Sequence, residues 1–157
     1  MTTAVSPNVP EHAGLGPLAS RLVKVKDLPW QPTRFPGIDA KPLLVDRASG
    51  LVTSLVRMAP GAVLPDHEHV LIEQTWVLEG HLMDKAGPDE GIECGPGEFI
   101  WRPAGSRHVA WSPRGGTMLA MFQIPNKFYE ADGRITDQAG ELWESVWGGA
   151  QSARQAG

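Results

Sequence analysis

An all-β fold, a sandwich or barrel of short strands, is what this chain predicts, and three observations carry the prediction. Glycine and proline supply 18 and 14 of its 157 residues and are scattered along it, so the backbone turns often and its elements are short. Apolar runs bounded by Gly, Pro or Asp recur at regular spacing, as they do in sandwiches and barrels. Helical periodicity shows in a single stretch near the C-terminus. With 41% hydrophobic residues the chain can bury one core, but it is too short for two comfortable domains.

In chain order, residues 1–20 read as a flexible arm, because Pro, Gly, Ser and Ala dominate and no hydrophobic period appears. A β-barrel domain is expected over residues 21–135. RLVKVKD (21–27) alternates as a half-buried strand does. KPLLVD (41–46) and LVTSLVRMAPG (51–61) flank the turn-like Ala48-Ser49-Gly50 and suggest an antiparallel hairpin. EQTWVLEG (73–80), HLMDKAG (81–87), GEFIWRP (97–103), RHVAWSP (107–113) and TMLAMFQIP (117–125) follow as further strands. Residues 136–157 form a short helix and a tail: in DQAGELWESVW (137–147), Leu142, Trp143, Val146 and Trp147 fall at helical offsets.

The formal net charge of −4 gives no electrostatic reason to expect nucleic acid or an anionic membrane as a partner, which leaves a small-molecule substrate or another protein. No segment reaches the run of about 18 apolar residues read as a membrane helix. The single Cys94 cannot form an internal disulfide, and MTTAVSPNVPEHAGLG has neither the basic start nor the apolar run of a signal peptide, so a cytoplasmic protein is expected. Nothing near Cys94 would lower its pKa, and it receives no catalytic role.

GAVLPDHEHVLIE (61–73) crowds two histidines and several carboxylates into a segment that otherwise reads as core. Taking such groups out of water is costly unless they are paired or bind a cation. In an extended strand, residues two apart share a face, so His67 and His69 point together while Asp66 and Glu68 face the other way as solvated charges. Glu73 shares their odd parity, but an expected hairpin turn at Val70-Leu71-Ile72 keeps parity from placing it. The turn Pro103-Ala104-Gly105-Ser106-Arg107 can return the chain so that His108 lies beside the pair. Three imidazoles and a carboxylate suit divalent iron, nickel, manganese or zinc, with positions left for substrate, water or dioxygen.

These residues resemble the two motifs of the cupin superfamily. Gly61, His67, His69, Glu73 and Gly80 fill every position of the first; Gly97, Pro103, Gly105 and His108 fill the second, whose last position holds Ser112 where Asn is usual. The resemblance covers residues 61–112, and flanking strands extend it to roughly 40–125. It implies a cupin jelly-roll β-barrel of six to ten strands, with His67, His69, Glu73 and His108 as ligands of a metal inside it. FQIPNKFYEADGRITD (122–137) is loosely similar to the C-terminal segment of small carbon–carbon-cleaving cupins, the acetylacetone-cleaving and dihydroxyacetophenone dioxygenases, and the cupin domain of zinc-dependent anti-sigma factors is a further relative. The carbon-cleaving members hold iron with three histidines, which would make Glu73 a supporting residue.

That resemblance implies an Fe(II) dioxygenase cleaving a carbon–carbon bond in a small diketone or hydroxyaryl ketone, with Zn, Ni or Mn as other candidate metals. Thr75, Val77, Trp101, Phe122 and Gln123 are candidate pocket residues because they lie on strands adjacent to the ligands. Arg57 and Arg102 are read as solvent-facing arginines with apolar stems along the strand, His81 as surface, and His12 as part of the arm. Two other classes stay open: a non-enzymatic cupin that senses zinc or a small ligand, and a metal-dependent isomerase or lyase. Sheet edges that a second copy can cover suggest a homodimer.

Overall fold

The computed structural model describes residues 2–157, and its strands lie in two antiparallel sheets packed face to face as a jelly roll. The first sheet holds β1 (Gln31–Pro32), β2 (Ile38–Asp46), β3 (Leu51–Met58), β5 (Glu73–Gly80), β8 (Phe99–Arg102) and β10 (Gly116–Phe122), in the order β1-β2-β3-β10-β5-β8. In the second are β4 (Ala62–Glu68), β6 (Leu82–Ala86), β7 (Glu93–Cys94), β9 (Arg107–Ser112), β11 (Lys127–Tyr129) and β12 (Ile135–Thr136), ordered β12-β11-β4-β9-β6-β7. The count exceeds the expected six to ten because β1, β7, β11 and β12 are two- and three-residue strands with too little pattern to read.

Period-two burial explains which residues face inward. Along β5, Glu73, Thr75 and Val77 are buried while Trp76 and Leu78 are exposed. Inward apolar residues of both sheets, Phe35, Ile38, Met58, Val77, Leu82 and Met118 among them, form one core cluster. A second cluster joins Val52, Val70 and Ile124 to Trp143 and Trp147 of helix α1 (Trp143–Gln155). Gly80 starts the tight turn from β5 into β6 at φ +66°; a Cβ there would lie 2.1 Å from the Gly115 carbonyl oxygen, so only glycine fits.

Three expectations change. RLVKVKD forms no strand but a 3-10 turn, Val25–Asp27. Its alternation is real, yet the free edge of β2 is taken by Gln31–Pro32 and by the Val5–Val45 bridge through which residues 1–20 touch the sheet, so the segment has no strand to pair with. Val70-Leu71-Ile72 is no hairpin turn, because β4 and β5 belong to different sheets and this segment crosses between them. The helix starts at Trp143 instead of Asp137, whose Oδ1 accepts the backbone N–H groups of Ala139 and Glu141 and holds those residues in a turn. Trp143 and Trp147 are buried as their spacing implies, whereas Leu142 is 52% exposed. Among the described residues no helix is long and apolar enough to cross a membrane.

Candidate metal centre

The site begins with a bulge. Leu64 pairs with Ala110 and His67 with His108, so β4 spends three residues where β9 spends two. Leu64 and His67 would otherwise face opposite sides; the extra residue at Pro65-Asp66 turns both toward the interior. Pro65, with no N–H to donate, suits the interrupted ladder. Beyond β4, His69 N–H donates to Ser106 O at 2.8 Å and Gly105 N–H to His69 O at 2.7 Å, which prolongs the pairing and seats His69 beside the turn preceding His108. Outside, Asp66 pairs with Arg107 at the surface, as its parity implies.

His67, His69 and His108 are each at most 6% exposed and offer ring nitrogens within 4.8 Å of one another. Their Nδ1 atoms all face acceptors. His67 Nδ1 donates to Pro65 O at 2.7 Å, and His108 Nδ1 to Asp84 Oδ1 at 3.0 Å. His69 Nδ1 lies 2.6 Å from Glu73 Oε2, a close approach that falls short of good hydrogen-bond alignment. These partners keep the proton on Nδ1 and leave the Nε2 lone pairs for a cation. His69 Nε2 and His108 Nε2 are 3.0 Å apart, which suits two nitrogens each about 2.0–2.1 Å from one ion.

Glu73 stands outside this ligand set: its Oε2 faces His69, and its Oε1 accepts from Thr75 Oγ1 at 2.8 Å. The crossover that replaces the expected hairpin puts Glu73 on the opposite sheet, behind His69. Burial alone would raise its carboxyl, but His69, His67 and Thr75 together outweigh that and draw it down to about 2. Asp84 is likewise pushed up by burial, yet held below the usual carboxylate range by His108 and Arg102.

Arg102 is 6% exposed and clasps Asp84 with Nη1 and Nη2 at 2.9 and 2.6 Å, so the solvent-facing reading of it is corrected. It sits opposite Glu73 on the inward parity of β8 and reaches across to the other sheet. Glu73 and Asp84 against Arg102 leave one buried negative charge beside three imidazoles, which favours a cation there. Arg57 faces outward and pairs with Asp39 at 2.7 Å. His81 is also corrected from surface to buried, at 1% exposure: its Nδ1 meets Glu93 at 2.7 Å, its Nε2 accepts the Arg114 N–H at 2.9 Å, and Ser112 Oγ donates to its carbonyl at 2.7 Å. It is a tie between turns, separate from the triad.

His67 and His108 form part of the wall of a cavity of about 300 Å³. Thr75 and Phe122 line it, together with Leu64, Met118 and Phe128. Val77 does not, being packed in the core at 0% exposure; Trp101 does not, since it pairs with Gln74 on the outer face and is 55% exposed. Gln123 follows inward Phe122 and is also outside the lining. Strand adjacency selected these candidates, but face decides. Sequence reasoning missed Asp84, although an aspartate two residues after Leu82 on the inward parity of β6 was a readable sign.

His67→Ala and His108→Ala should each abolish stoichiometric metal in purified protein, while Glu73→Gln, which keeps an acceptor beside His69, should retain most of it. Elemental analysis decides, and full metal in both alanine variants would refute the triad. Burial first, then the imidazoles of His69 and His108, push His67 from the usual 6.5 down to about 3. Between those values the unfolded chain binds a proton that the folded chain refuses, so this stability is whole above pH 6.5 and is lost as pH falls toward 3. The melting temperature of metal-free protein should decline through that window, and less steeply in His67→Leu; equal slopes would contradict the assignment.

No curated protein matches the sequence. Among solved structures, the chain is similar to an acetylacetone dioxygenase from Acinetobacter johnsonii, with TM-score 0.67, 21% identity and coverage of 88% of this chain and 93% of that one. A candidate acetylacetone dioxygenase from Methylibium petroleiphilum PM1 gives TM-score 0.68 and 21% identity over 88% and 96% of the two chains. An RmlC-like cupin from Ralstonia eutropha JMP134 gives 0.67 and 16% over 88% and 89%. At these identities the likeness establishes the cupin fold. The sequence profile of the ChrR cupin-like domain matches residues 19–127, well over half of the chain, and with the two-sheet jelly roll and its three buried histidines this protein belongs to that family.

Proposed function

We propose that this protein is a metal-dependent dioxygenase, with Fe(II) as its metal, that cleaves a carbon–carbon bond in a small diketone or hydroxyaryl ketone. The observation that carries the reading is a three-histidine centre beside an apolar cavity, with the neighbouring glutamate engaged by His69 Nδ1 and Thr75. A closed structural zinc site takes four protein ligands, and here Glu73 is engaged by His69 and Thr75 instead. One similar structure is described as an acetylacetone dioxygenase and another as a candidate one, which supports the same reaction class by analogy.

Bound iron would supply Lewis acidity toward an enolate and the redox chemistry with dioxygen. The chain's own residues do the rest. Glu73 and Asp84 hold His69 and His108 in the metal-binding tautomer, and Pro65 O does so for His67. Phe128, packed 5.2 Å from the His67 ring, and Leu64, Met118 and Phe122 keep water from the ligand. A cavity of about 300 Å³ is at the small end of ligand sites, which matches a small ketone. The proposed setting is the cytoplasm, in keeping with a lone buried thiol at Cys94.

A homodimer is part of the proposal. Trp76, Phe99 and Trp101 are each about half exposed on the outer face of β5 and of β8, which ends its sheet. They leave on the order of 300 Å² of aromatic surface uncovered, beside an edge strand that a second copy can cover, against about 800 Å² buried per partner in a stable interface.

Protein loaded anaerobically with Fe(II) should consume oxygen when acetylacetone or a hydroxyaryl ketone is added, and His108→Ala should not. If no ketone triggers uptake while zinc binds tightly and Glu73→Gln releases it, the binding-protein reading replaces this one. Light scattering should give twice the 17.0 kDa chain mass, reverting to one chain when Phe99 and Trp101 are both changed to Ser; a monomeric wild type would refute the dimer.

A further inference from the structure

We propose that Asn126 is a specificity-determining residue of the cavity, whose side-chain oxygen accepts a hydrogen bond from a hydroxyl on the substrate; this rests on the ketone reading above and selects the hydroxyaryl ketone within it. Asn126 lines the cavity, is 5% exposed, and its Oδ1 is buried without a hydrogen-bond partner. Other buried polar side chains of the lining are satisfied by protein: Thr75 by Glu73, Arg102 by Asp84, Ser54 by the Leu55 carbonyl, Asp137 by Trp147 Nε1–H. A buried acceptor left unpaired destabilises the fold, and a group kept in that state calls for an explanation, of which a ligand is one.

The backbone that carries Asn126 is held on both sides. Before it, Pro125 O accepts Trp143 Nε1–H at 2.9 Å; after it, Lys127 and Phe128 pair with Glu68 and His67. Asn126 directly precedes this ladder and shares the cavity lining with His67 and His108. Alternation puts its side chain on the same side as Phe128, whose ring packs against His67. One small ligand can thus meet the histidine centre and the amide together. The oxygen requires a donor, and among donors a neutral hydroxyl enters an apolar cavity at far lower cost than an ammonium group. A diketone bound as its enolate brings no hydroxyl and leaves Oδ1 unpaired.

The test uses full-length protein loaded with zinc, so that binding is read without turnover, and two ligands with the same chelating end: para-hydroxyphenacyl alcohol and phenacyl alcohol, which lacks the ring hydroxyl. Calorimetry should show wild type preferring the first by about tenfold, the worth of one buried hydrogen bond. Asn126→Leu should erase the preference, with zinc content and phenacyl alcohol affinity unchanged. Asn126→Ser, which keeps an oxygen on a shorter arm, should fall between and serves if the leucine variant does not fold. A preference that is absent in wild type, or that survives in both variants, overturns the role of Asn126 alone. Binding of neither ligand by zinc-loaded wild type overturns the ketone reading and this assignment with it.

Discussion

The buried ion pair between Arg102 and Asp84 is the contact on which the site depends. Arg102 rises from β8 in one sheet and Asp84 from β6 in the other, so their two parallel hydrogen bonds, 2.9 and 2.6 Å, tie the sheets together across the interior. Burying two charges costs several kcal/mol per ion, and only good geometry with further hydrogen bonds offsets it. Both conditions are met here. Asp84 Oδ1 also accepts from His108, so the carboxylate that neutralises Arg102 sets the tautomer of a metal-binding imidazole. Removing Asp84 would leave Arg102 charged and unpaired in the interior, and removing Arg102 would leave Asp84 with His108 alone.

Around that tie the interior divides by chemistry. One end is an apolar core of Ile38, Met58, Val77, Leu82 and Met118, and stability there comes from area removed from water. The other end is packed by α1, whose Trp143 and Trp147 fill the space beside Val52 and Ile124 and spend their indole N–H groups on Pro125 O and Asp137. His67, His108, Glu73, Thr75 and Asn126 line a cavity bordered by both sheets, which reaches Ile38, Met58, Leu82 and Met118 of the apolar core. The helix therefore does more than finish the chain. By gripping Pro125 it holds the approach to β11, whose Phe128 packs against both His67 and Phe35.

Local rules decided much of this in advance. Recurrent turn residues and period-two runs are enough to specify a two-sheet all-β domain, because short strands with one apolar face have few other ways to bury it. The pairing of His67, His69 and His108 followed from spacing: two residues apart share a strand face, and a Pro-x-Gly turn returns the chain. Trp143 and Trp147 at helical spacing announced a buried helix face, as found. Each of these rests on geometry that neighbouring residues impose on one another.

What the tertiary structure alone decided are the relations between sheets and the faces that depend on pairing. Whether β4 and β5 form a hairpin or part to opposite sheets changes nothing in their own patterns, yet it determines that Glu73 braces His69 from behind. A bulge at Pro65-Asp66 reverses parity at the point where His67 must turn inward, and it exists only against the register of β9. Arg102 reads as an ordinary strand arginine until Asp84 arrives from the other sheet, and His81 as surface until Glu93 and Arg114 close over it. The chain encodes period and turn locally, through sterics over a few residues. Pairings across tens of residues have no local signature, because what selects them is the summed burial of every strand at once.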